Sequence, residues 1–82
     1  MFIYVVKCEH ILDGCEEVIA VCGNNNIAIE KIQTKLLESS IAWRYYKFTI
    51  DVWNLNGDIH HFELFNKDQN KEMLIAAGGT PE

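Results

Sequence analysis

Lys47-Phe48-Thr49-Ile50-Asp51-Val52-Trp53-Asn54 and His60-His61-Phe62-Glu63-Leu64-Phe65 flank the turn signal Leu55-Asn56-Gly57-Asp58. Each run alternates in residue type. Successive side chains of a strand point to opposite faces, so the stretch predicts an antiparallel hairpin. Two registers compete. A two-residue Asn56-Gly57 turn pairs Val52 with His61 and Ile50 with Glu63, setting apolar residues against polar ones. A three-residue loop, Leu55-Asn56-Gly57, pairs Val52 with His60, Ile50 with Phe62 and Phe48 with Leu64. A one-residue slip turns every side chain over, so the hydrophobic pattern selects the second register. Its dry face holds Phe48, Ile50, Val52, Phe62 and Leu64. Its wet face holds Thr49, Asp51, Trp53, His61 and Glu63. A type I turn with a left-handed Gly57 and a bulge suits this loop.

Upstream, Met1 to Ile11 reads as the first strand and Glu17 to Cys22 as its return, around the hairpin signal Asp13-Gly14. A two-residue turn there pairs Cys8 with Ile19 and Val6 with Val21. Phe2, Tyr4, Val6, Cys8, Ile19 and Val21 then share the dry face. Ile3, Val5, Lys7, Glu9, Val18, Ala20 and Cys22 fall on the other. Gly23-Asn24-Asn25-Asn26 breaks the strand, and an Asn side chain there can cap a helix over about Ile27 to Glu38. Ile29, Ile32 and Leu36, with Ala28 and Leu37 beside them, recur at helical spacing and form its apolar stripe.

Ser39-Ser40 end that helix, and the aromatic-rich Ile41-Ala42-Trp43-Arg44-Tyr45-Tyr46 leads into the third strand. Asn66 to Glu72 is strongly polar. Met73 to Ala77 suits either a short helix or a docking strand, and residues 78–82 read as a flexible tail after a single domain spanning 1–77. The order is strand, strand, helix, strand, strand: an α+β ββαββ domain. Its cheapest arrangement is a four-stranded antiparallel sheet with one helix on its dry face. The middle crossover sets strands one and three side by side and predicts the spatial order 2-1-3-4. Strand two is then a weakly protected edge.

The chain has 82 residues, 49% of them apolar, with 7 Lys and Arg against 12 Asp and Glu and a formal net charge of −5. That suits one folded domain rather than disorder. The scattered basic residues speak against direct nucleic-acid binding, which needs clustered cations to neutralise phosphates. An acidic protein instead suits a partner protein with a basic, nucleic-acid-binding surface, or is simply soluble. No apolar stretch approaches the roughly 20 residues of a membrane span. The N-terminus lacks a basic region and a cleavage site, so we expect a cytoplasmic protein without a membrane partner. Cys8, Cys15 and Cys22 are then expected as free thiols.

For chemistry the residues offer little. Cys8 and His10 point the same way on one strand, but there is no Cys-x2-Cys or His-x3-His pair, so no metal site or cofactor is expected. A Cys8–His10 or Cys8–His60 nucleophile lacks a third orienting group and an oxyanion hole. Asp51, Glu63 or Glu9 with His61 would sit on an open sheet face rather than in a pocket that tunes pKa values. We therefore expect no enzyme. Binding is better supported. Trp43, Arg44, Tyr45 and Trp53 are of the types that dominate interface energetics. Trp43 and Tyr45 serve either as contacts or as caps on the end of the core. Trp53 is either exposed for contact or covered by Met73 to Ala77. With the acidic Glu9, Asp51 and Glu63, they are the candidate partner-binding residues.

In size, acidity and layout the chain resembles small phage-encoded inhibitors of bacterial defence systems, anti-CRISPR proteins among them. The resemblance covers the whole chain and carries no site residues over. It implies a non-enzymatic module, acting in the host cytoplasm, that inhibits a partner such as a defence nuclease complex. A second reading is a self-associating structural or subunit domain, forming a homodimer through an edge strand. A third is a thiol or metal-site protein.

Overall fold

Val6 and Ile50 are cross-strand partners without exposed surface, and they mark the centre of the core. The computed structural model describes all 82 residues. Along the chain run β1 (Phe2–His10), β2 (Glu16–Cys22), α1 (Asn25–Leu36), α2 (Ala42–Tyr45), β3 (Tyr46–Asn54), β4 (Ile59–Phe65) and α3 (Lys67–Ala76). The four strands form one antiparallel sheet in the order β2-β1-β3-β4, the order that the crossover predicts. The fold is α+β.

Asn24 starts α1, accepting a hydrogen bond from the Ile27 amide at 2.9 Å. The cap satisfies one of the amides that a helix start leaves free. Ala28, Ile32 and Leu36 form its buried stripe, and they pack with Val6, Cys8, Phe48, Ile50, Val52, Phe65 and Leu74. Leu37 lies past the helix end and is half exposed.

The expected single helix is in fact three, all on the same side of the sheet. α3 grows out of the polar segment. Asn66 accepts from the Gln69 amide at 2.9 Å, and the Gln69 side chain accepts from the Asn66 amide at 2.9 Å. This reciprocal capping pair nucleates a helix that buries only Asn70 and Leu74, which is why its sequence is so polar. The Asn70 amide donates to the carbonyls of Tyr46 (2.8 Å) and Trp43 (3.3 Å), tying α3 to the junction of α2 and β3. Beyond it, Gly79 lies so close to Leu74 that a Cβ would overlap that side chain. The Glu82 amide donates to the Ser40 carbonyl at 3.0 Å.

Both hairpins depart from the predicted registers. In the β3–β4 loop the Gly57 amide donates to the Asn54 carbonyl at 3.1 Å, and Gly57 has φ +88°. The three-residue loop is therefore as expected, and Trp53 pairs with Ile59. A further bulge at His60 then shifts the register, so that Val52 pairs with His61, Ile50 with Glu63 and Asp51 with Phe62. Phe62 and Leu64, expected dry, leave the core, while His61 and Glu63, expected on the wet face, move to the helix side. The register dismissed on pattern is the one formed, reached by a different turn.

Between β1 and β2 the loop has four residues, Ile11 to Gly14, closed by the His10 amide donating to the Cys15 carbonyl at 2.9 Å. A bulge at Ile19 follows, and Val6 pairs with Ala20 while Lys7 pairs with Val18. Ala20 and Cys22 thus join the dry face, and Val21, expected there, stands on the other.

Candidate protein-binding face

The side of the sheet away from the helices is covered by nothing in the chain. Four cross-strand rows build it: Ile3, Trp53 and Ile59; then Val21, Val5, Asp51 and Phe62; then Val18, Lys7, Thr49 and Leu64; and last Glu16, Glu9 and Lys47. Phe62 is 65% exposed, Val21 65%, Val18 57% and Leu64 48%. Side chains directly opposite on one face lie close enough to touch, so these rows form a continuous apolar surface interrupted by charge at its centre and at one end. Large contiguous apolar patches mark interaction sites more often than scattered single residues do.

The central charges neutralise each other. The Lys7 ammonium lies 2.8 Å from the Asp51 carboxylate and 3.8 Å from that of Glu16. The Asp51 hydrogen bond raises the Lys7 pKa above its usual value, against a smaller opposing effect of burial. Asp51 itself is only 9% exposed, between Val5 and Phe62. It is therefore not a free carboxylate for a partner to meet.

The expected contact residues separate into three places. Trp53, Asp51 and Glu9 share the open face, with Trp53 half-buried between Ile3 and Ile59. Met73 to Ala77 does not cover Trp53, because α3 packs on the other side of the sheet. Glu63 lies on the helix side, exposed beside Ile50. Trp43, Arg44 and Tyr45 form α2, at the opposite end of β3 from Trp53. There the Trp43 indole donates to the Glu82 carbonyl at 3.1 Å, with Arg44 and Lys71 set over its ring at 5.1 and 5.5 Å. Tyr45 stacks on His10 with ring centroids 6.3 Å apart. This cluster packs the end of the fold together. Phe62, Leu64 and Val21 are the surface residues that sequence reasoning placed in the core. Each looks like a core residue by type, and only the bulges turn it outward.

A cleft of about 320 Å³ on the helix side is lined by Cys8, His10, Cys15, Glu16, Glu17 and Tyr46. All three cysteines are free thiols. Burial pushes the Cys8 thiol up to about 11, and the Asp13 side chain raises the Cys15 thiol. Both shifts favour the protonated form, whereas a nucleophile or a metal ligand needs the thiolate. No group of three or more His, Cys, Asp or Glu side chains is arranged to hold a metal ion. No helix is long and apolar enough to cross a membrane.

No family model, curated protein or solved structure matches this chain.

Proposed function

We propose that this chain is a non-enzymatic protein-binding module that blocks or regulates its partner by docking through the open sheet face. One observation carries the reading: Ile3, Val18, Val21, Trp53, Ile59, Phe62 and Leu64 lie together on a face that no helix covers. Burying such a surface releases roughly 25 cal/mol per Å² of apolar area, and contiguous exposed apolar patches of this kind mark interaction sites. The charged residues support a dry contact. Lys7 and Asp51 are already paired, and the acidic corner is confined to Glu9 and Glu16. The contact suits an apolar partner surface better than a basic one, since Glu63 points away.

The test is a photoreactive phenylalanine analogue at position 62, with position 75 on α3 as the control, irradiated in an extract of the natural host. We expect a discrete protein adduct from position 62 and none from position 75. No adduct from position 62 would sink the reading.

A further inference from the structure

We infer that the occupant of the open sheet face is a second copy of this chain, packed sheet to sheet about a two-fold axis that runs along the strands. This rests on the docking reading above and names its partner.

A two-fold axis between β1 and β3, parallel to them, sets β1 of one copy over β3 of the other, and β2 over β4. Row then meets row. Val21 lies over Phe62, Val18 over Leu64 and Ile3 over Trp53, because each pair already shares a row of the face or flanks its centre line. At the charged end Glu9 of one copy lies over Lys47 of the other, twice by symmetry. In the middle, Lys7 and Asp51 remain paired within each chain, so no lone charge is buried. An axis across the strands would instead set the apolar end against Glu9 and Lys47. Isologous contacts need such self-complementarity. Two sheets of the same twist pack face to face with their strands within about 30° of each other, so a copy has the twist that this face requires.

Charge distribution and area agree. Of the chain's 7 basic and 12 acidic residues, Lys7, Lys47, Glu9, Glu16 and Asp51 lie on the face. The face thus holds one excess negative charge out of a net −5, so two copies that meet through it bring little of the chain's charge together. Four strands about 4.8 Å apart and about seven residues long give a face of roughly 20 by 23 Å. Pairing two such faces buries on the order of 1,000 Å² in total, where specific interfaces begin. The edges are poorer routes. β2 is bulged at Ile19 and β4 at His60, and bulges blunt an edge against strand addition.

Sedimentation equilibrium of the full chain tests this. We expect a concentration-dependent dimer. Phe62→Glu should weaken it by roughly thirty-fold or more, as replacing a large apolar contact with a charge does, while Ile75→Glu leaves it unchanged. Glu9→Lys and Lys47→Glu should each be monomeric alone and form a one-to-one dimer when mixed. Circular dichroism of each variant checks its fold. A dimer that survives Phe62→Glu, or a mixture that stays monomeric, overturns the inference. A monomeric wild-type chain whose position-62 adduct has the mass of another protein also overturns it, and leaves the docking reading standing.

Discussion

Lys7 and Asp51 sit 2.8 Å apart at the centre of a sheet face that is otherwise largely apolar, one on β1 and the other on β3. The pair is what allows a carboxylate to be nearly buried on a surface that no helix covers. Asp51→Asn should destabilise the fold by about 1–3 kcal/mol in urea unfolding near neutral pH, since it leaves a shielded ammonium without its close partner. The double change Lys7→Met with Asp51→Val should recover most of that loss. The lysine's raised pKa makes this contribution whole below 10.5 and lost as pH climbs through the higher folded value.

Cys8 gives the fold a second alkaline sensitivity, of a different origin. Burial raises its thiol from 9.0 to about 11, with Glu17 and Glu38 adding to the shift and Lys35 opposing it. The folded chain therefore holds a proton that the unfolded chain has lost between those two values. The Cys8 contribution should be whole below pH 9.0 and fall as pH rises towards about 11, by about 2 kcal/mol at most. Cys8→Ala should flatten that part of the profile while lowering stability at neutral pH through the cavity it leaves. Urea midpoints across the alkaline range compare the two.

Asn70 is buried without exposed surface, and its amide bridges the Tyr46 and Trp43 carbonyls. Asn70→Ala strands both acceptors. The expected loss is about 2 kcal/mol, with a fall in melting temperature of about 10 °C. Asn66→Ala should cost about 1 kcal/mol by removing one half of the capping pair. Hydrogen exchange will show the Asn66→Ala effect concentrated in α3.

Deleting His60 should be tolerated. His60 is the extra residue of the β4 bulge, and its ring sits 4.6 Å from Phe2 at the surface. Without it, Ile59 and His61 alternate directly and the pairing of Val52 with His61 is kept. The expected change in stability is small, since the residue removed lies at the surface outside the ladder. Cross-strand contacts between Val52 and His61 should persist in nuclear magnetic resonance spectra. Loss of those contacts would show that the bulge sets the register.

Much of the architecture is legible in residue patterns. Period-two runs around Asp13-Gly14 and Asn56-Gly57 mark two hairpins, and an Asn before a 3.6-period stripe marks α1. The crossover then orders the strands. Only the end of α3 is legible, as one of two alternatives for Met73 to Ala77, because its one buried apolar residue, Leu74, gives no stripe, although Asn66 and Gln69 carry a start signal at capping distance. The candidate face was only half legible. Alternation places Ile3, Val5, Val18 and Trp53 on it and Phe62, Leu64 and Val21 on the opposite one, where the bulges do not leave them.

The amino-acid sequence alone determines the number of strands, the two hairpins, the turn at Gly57 and the site of α1, because these follow from local propensity and short-range periodicity. Which way Phe62, Leu64 and Val21 face was decided only by the assembled structure. A bulge inserts one unpaired residue at small local cost. Whether Ile19 and His60 are bulged depends on how β2 settles against β1 and α1, and β4 against β3. Those contacts join residues far apart in the chain, so no local pattern records them.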